Sequence, residues 1–155
     1  EQLSDMKPGI SFSYFEGEFK STDDFAGSQP VKNGLVREIT LEPRQAEDHF
    51  GFEFNAWIEI PEKGLYRFST WSDDGSRLYI GGKLVVDNDG SHSARLKEGA
   101  IALEKGFHRF RLLYFDDYMG ETLEAGISGL TFREKPVTGA MLFIPENKNK
   151  SNPQK

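Results

Sequence analysis

Two pairs of adjacent carboxylates, Asp73-Asp74 and Asp116-Asp117, each follow a run rich in apolar residues and head a polar loop. Side chains of this type could do three things. They could supply hard oxygen ligands to calcium, which takes about six to eight of them. They could hydrolyse a glycosidic bond as a carboxylate pair. Or they could bond to nearby backbone amides and fix a turn. For Asp73-Asp74 the metal and turn readings stand level. The hydrolytic reading ranks below both, because loop acids without a partner motif usually solvate or brace their loops. Asp87-Asn88-Asp89-Gly90 reads as a turn.

Other catalytic constellations are missing from the sequence. His49, His92 and His108 have no metal spacing, no Ser sits in a nucleophile elbow, and no Gly-rich phosphate loop occurs. Cys is absent, which removes thiolate zinc sites and thiol nucleophiles together. The chain reads as non-catalytic. Trp57, Trp71, Tyr79 and Tyr118 could stack on sugar rings. Alternation sets Trp57 opposite the Phe52-Phe54-Ile58 face, and Trp71 reads as core or edge packing. Tyr118, beside Asp116-Asp117, is the better candidate for a ligand-facing loop.

The elements that must position these residues are strands. Phe50 to Ile60 alternates Phe, Phe, Phe, Ala, Ile, Ile on one face. Pro61-Glu62-Lys63-Gly64 then turns the chain into Leu65 to Ser72, which reads as a hairpin. Gly81-Gly82 is a two-residue hairpin loop between Arg77 to Ile80 and Lys83 to Val86. Ala100 to Leu103 and Phe107 to Phe115, around Gly106, read as a third hairpin. Ile10 to Tyr14, Leu35 to Leu41, Leu123 to Ile127 and Met141 to Ile144 complete the set. About ten or more short strands at this spacing predict an all-β, antiparallel two-sheet sandwich. One short turn is expected where Ser21 can cap Thr22 to Phe25. The expected divisions are a linker at 1–8, the sandwich at 9–145 and a polar tail at 146–155. The opening at Glu1 rather than Met is read as a processed or excised piece.

Composition narrows the partners. Nineteen Lys+Arg against 25 Asp+Glu leave a formal charge of −6, which argues against a phosphate-backbone binder and hence against nucleic acid. No apolar stretch approaches the ~20 residues of a spanning helix, so no membrane insertion is expected.

The ordered motifs carry a resemblance. Gly64-Leu65-Tyr66-Arg67-Phe68 is followed by Ser72-Asp73-Asp74-Gly75-Ser76-Arg77-Leu78-Tyr79-Ile80. Gly82-Lys83-Leu84-Val85-Val86-Asp87-Asn88-Asp89-Gly90, Lys105-Gly106-Phe107-His108 and Tyr114-Phe115 come after it. Over residues 9–145 this order resembles the PA-fourteen family, the β-sandwich module named after the anthrax protective antigen. The stretch Glu42 to Gly51 is similar to modules appended to Bacteroidetes glycoside hydrolases, family-twenty β-N-acetylhexosaminidases among them.

The resemblance implies a two-sheet accessory module of glycosidases, adhesins and toxins. Its lectin-like members hold calcium with an Asp-Asp pair, joined by a cis peptide, and an Asn from a second loop, and the calcium meets sugar hydroxyls. Asp73 and Asp74 match the pair, and Asp116 stands where the Asn would be. That departure keeps an oxygen ligand and adds a charge, which bears on sugar specificity. The implied site is calcium on Asp73, Asp74 and Asp116, with Asp117 and Tyr118 beside a bound glycan. Remaining ligands are expected from backbone carbonyls, Asn88 or water. The implied setting is extracytoplasmic, with a parent catalytic domain as partner. The alternative is a structural module that packs on the parent enzyme and binds nothing.

Overall fold

The computed structural model describes residues 5–117 and 119–146. The early strands are β1 (Met6–Pro8), β2 (Ile10–Glu16), β3 (Lys32–Val36), β4 (Phe50–Ile60), β5 (Gly64–Asp73) and β6 (Ser76–Ile80). The later ones are β7 (Lys83–Asn88), β8 (Arg95–Leu103), β9 (Gly106–Asp116), β10 (Thr122–Gly129), β11 (Phe132–Pro136) and β12 (Leu142–Pro145). They form two antiparallel sheets, the sandwich expected from the alternation. The smaller sheet runs β11-β10-β5-β8, and the larger runs β1-β12-β4-β9-β6-β7 with β2 joined to β4 and β3 to β2.

β4 is the spine of the larger sheet. β9 pairs with it along its full length, while β2 and β12 divide its other edge, at Phe50–Asn55 and Trp57–Ile58. Phe50, Phe52, Phe54, Ala56, Ile58 and Ile60 all point into the core. They meet Tyr66 and Phe68 of β5 and Ile127 of β10 there. A smaller cluster of Phe15, Phe19, Phe25, Leu113 and Phe115 lies on the sheet's outer face. The 3₁₀ turn Thr22–Gly27 brings Phe25 to it, capped at Ser21 by a reciprocal capping box with Asp24.

Two of the expected hairpins are not hairpins. β4 and β5 belong to different sheets, and so do β8 and β9; only β6 and β7, around Gly81-Gly82, pair with each other. A turn signal marks a reversal of the chain. It does not say whether the returning strand bonds alongside its predecessor or crosses over the core to the facing sheet. Other assignments differ as well. Met6–Pro8, inside the segment read as linker, pairs with β12. The strand expected to reach Leu41 stops at Val36, and β11 has no counterpart in the sequence reading. Most of the tail, residues 147–155, lies outside the described residues. Among the described residues no helix is long and apolar enough to cross a membrane.

The sandwich is closed on one side by β7 of the larger sheet against β8 of the smaller. Gly99 of β8 lies so close to β7 that a Cβ there would fall inside the van der Waals shell of the Val85 carbonyl oxygen. Backbone cannot swing aside as a side chain can. Gly99→Ala is expected to cost about 2 kcal/mol or more, read as a lower urea midpoint. Gly27→Ala, where a Cβ meets nothing within 4 Å, is expected to stay within about 0.5 kcal/mol of wild type. Equal midpoints for the two variants would refute the close approach.

Candidate metal and ligand site

Strand register brings four strand ends to one end of the sandwich. β5 finishes at Asp73, opposite Thr122 where β10 begins; β9 finishes at Asp116, opposite Phe50 where β4 begins. Backbone bonds then lock the two acidic loops together. Asp74 N–H donates to the Phe115 carbonyl at 3.2 Å, and Phe115 N–H donates to the Gly75 carbonyl at 3.0 Å. The Tyr114 hydroxyl donates to the Asp73 carbonyl. The Asp73-Asp74 peptide is cis.

Asp73, Asp74 and Asp116, 42 positions apart in sequence at the wider step, converge here. One carboxylate oxygen from each lies within 4.8 Å of the other two. Ligands about 2.4 Å from a shared calcium can be at most about 4.8 Å apart, so the spacing suits one ion. Asp74 has other bonds as well: its Oδ1 accepts from Asp117 N–H at 2.8 Å and its Oδ2 from His92 N–H at 3.0 Å. Those are the bonds of the turn reading. Each oxygen still has a second lone pair.

Asp116 is different. It is 0% exposed, and neither of its carboxylate oxygens has a hydrogen-bond partner. Buried polar groups in folded proteins are nearly always paired, so an orphaned carboxylate calls for a reason. Desolvation, then the charges of Asp74, Glu121 and Asp48, push its pKa up to about 8; the His49 amide opposes the rise from outside hydrogen-bonding geometry. Asp73 and Asp74 are raised too, both chiefly by desolvation. The cluster is costly as it stands, and its donor set of hard oxygens fits a divalent cation.

Asp117 faces elsewhere. Its Oδ2 accepts from Lys20 Nζ at 3.0 Å and Ser91 Oγ at 2.9 Å. Burial raises its pKa, but the Lys20 and Ser91 hydrogen bonds outweigh this and leave it below the ordinary value. Asp117 nonetheless borders an open depression of about 330 Å³, with Asp73, Asp74, Ser91, His92, Ser93 and Met119. Tyr118 lies outside the described residues. Asn88 is not free to ligate. Its Oδ1 accepts from Arg95 Nε at 2.8 Å and its Nδ2 serves Thr70, Ser72 and Arg95 oxygens, in a buried network beneath the Asp pair. Asp89 accepts from Ser21 Oγ and Thr22 N–H and pairs with Arg77, so this loop braces the 3₁₀ turn.

The aromatic candidates lie apart from the acidic end. Trp57 is half-buried under Arg109, 4.9 Å from guanidinium carbon to ring centre, and Tyr79 sits similarly under Arg111 at 5.3 Å. Trp71 is 40% exposed on an inner strand of its sheet, which corrects its reading as core or edge packing: alternation along β5 sends it outward beside Leu96 and Glu124. Two carboxylates went unremarked in the sequence. Asp48 and Glu121 form a second group with Asp116, again within 4.8 Å. Asp48 lies in the Glu42 to Gly51 stretch without a role attached to it, and Glu121 stands in no motif; each is an acid just ahead of a strand, β4 or β10, whose pairing delivers it to this end.

The family model described as PA14 domain matches residues 6–132. No curated protein matches. Among solved structures, the PA14 sugar-binding domain from an RTX adhesin superposes with a TM-score of 0.73 at 16% identity, covering 87% of this chain and 97% of that one. The epithelial adhesin 9 A domain from Candida glabrata, in complex with Galb1-4GlcNAc, gives 0.73 at 10% identity, covering 98% and 96%. A β-glucosidase from Kluyveromyces marxianus gives 0.58 at 15% identity; 77% of this chain matches 16% of that one.

Proposed function

The chain belongs to the PA14 domain family, and we propose that it is a non-catalytic, calcium-dependent carbohydrate-binding module. Asp73, Asp74 and Asp116 hold the ion in this reading, and the depression beside them takes the glycan, with Asp117 and Ser91 at its wall. Calcium supplies a Lewis-acidic centre for sugar hydroxyls. The chain's own part is to hold three carboxylates in place and leave one side open. The observation that carries the reading is Asp116, a fully buried carboxylate whose two oxygens have no hydrogen-bond partner and one of which lies in the cluster that the Asp73-Asp74 turn completes. Turn-bracing alone gives Asp74 its two amide partners and leaves Asp116 without a purpose.

The setting is part of the proposal. An extracytoplasmic glycoside hydrolase as the parent protein is supported by the likeness of Glu42 to Gly51 to modules on Bacteroidetes family-twenty β-N-acetylhexosaminidases. The occurrence of this fold within a β-glucosidase points the same way. Asp at 116 rather than Asn makes the ion site more anionic, and sugar preference is expected to depart from that of the adhesins.

A second reading, a structural module packing on the parent enzyme, draws on the two amide bonds that Asp74 already accepts. A glycan array probed with the 155-residue chain separates the two. Binding in calcium that disappears in chelator is the expected result, with no hydrolysis of aryl glycosides. An array that stays blank in calcium favours the structural module.

A further inference from the structure

Asp116 belongs to two carboxylate groups at once, one with Asp73 and Asp74 and the other with Asp48 and Glu121. We propose that it is a bridging ligand: a second divalent cation, held by Asp48 and Glu121, shares Asp116 with the cation on Asp73 and Asp74. The inference rests on the calcium reading given above.

Three observations carry it. The first is reach, since within each group one oxygen per residue lies within 4.8 Å of the others, the span that ligands of one calcium can have. The second is the bridging residue itself. Asp116 is 0% exposed and offers two oxygens, neither with a hydrogen-bond partner. A carboxylate serving one ion through one oxygen leaves the other buried and unsatisfied, whereas a bridge occupies both.

Charge is the third. The two groups together contain five carboxylates, and among the described residues Arg44 is paired with them, its guanidinium 2.9 Å from Glu121. Lys20 is engaged by Asp117, outside both groups. Once all five are ionised, as metal ligands must be, five negative charges against one positive leave four. A single divalent ion balances half of these; two balance all of them. The fold also prepares the second group: Asp48 Oδ1 accepts from Met119 N–H at 3.2 Å, which orients it from the loop that follows β9. Two ions would therefore fasten the starts of β4 and β10 to the ends of β5 and β9.

Calcium alone is the probe. The chelator-treated 155-residue chain is titrated by calorimetry and by equilibrium dialysis, with circular dichroism confirming the fold of each variant. Two ions per wild-type chain are expected, falling to one in both Glu121→Gln and Asp48→Asn. Using two variants guards against one of them failing to fold. A single ion in wild type, or two ions unchanged by either substitution, overturns the bridge and leaves the calcium reading of Asp73-Asp74 intact. No calcium uptake overturns both.

Discussion

The Asp116→Asn chain is expected to melt about 5–10 °C above wild type in calcium-free buffer at pH 8, and to gain nothing from added calcium. Most substitutions of a fully buried residue destabilise. This one removes a charge held in a dry site without a hydrogen bond, beside other carboxylates. Asn keeps the shape and brings amide protons that the Asp73 and Asp74 oxygens can accept. A carboxyl pushed up to about 8 pays ~1.4 kcal/mol for each pH unit it is carried above its ordinary value. Allowing for relaxation and entering water, roughly 2–3 kcal/mol remains to be recovered. At ~2–4 °C per kcal/mol for a domain of this size, that gives the stated shift. With calcium at a hundredfold excess over Kd, wild type gains about 2.7 kcal/mol and draws level with the variant. If Asp116 were a bracing residue, its Asn variant would be less stable in both buffers and the wild-type melts would coincide.

How far the sequence reaches can be seen in β4 and its neighbours. Period-two alternation from Phe50 to Ile60 reproduces the observed strand to the residue, because burying one face leaves its mark at every second position. Alternation is blind to partners. It could not show that β5 lies across the core from β4, nor that β9 zips along β4 and carries Asp116 to Phe50. The convergence of Asp73, Asp74 and Asp116 came from likeness to a family, with the cis peptide at the expected place. Asp48 and Glu121 had no such aid. Their approach is set by pairings between strands far apart in the chain, and an isolated acid before a strand looks like any solvated one. Asn88 shows the converse error, since a polar loop residue read as a spare ligand is 0% exposed and fully bonded. The outward Trp71 has a local cause: β5 alternates Tyr66, Phe68, Thr70 and Ser72 inward, so the indole had no inner position to take.

The calcium-free chain is expected to lose stability as pH rises from about 5 to 8, where most proteins hold a plateau. Asp116 titrates near 8 when folded and in the ordinary carboxylate range when unfolded. Between those values the folded chain keeps a proton that the unfolded chain has released. Stability rises with pH only where the unfolded state binds more protons, so here it falls, approaching ~1.4 kcal/mol per pH unit for one proton and levelling off above 8. Asp73 and Asp74, also raised by desolvation, add to the fall at its acidic side. Asp117 acts oppositely, but lower down. Its folded pKa is depressed, so its contribution is complete above the ordinary carboxylate value and is lost only as pH drops through the folded one. The two trends place the stability maximum of the calcium-free chain near pH 4–5. Calcium binds the ionised carboxylates and competes with protons, so its stabilisation grows across the window in which the free chain weakens. Urea titrations at pH 5, 6, 7 and 8, on calcium-stripped and calcium-saturated protein, give two curves that diverge with pH. Asp116→Asn should flatten the calcium-free one. Parallel curves would mean that the acidic cluster titrates as ordinary surface carboxylates do, and that the burial of Asp116 has no ion to answer it.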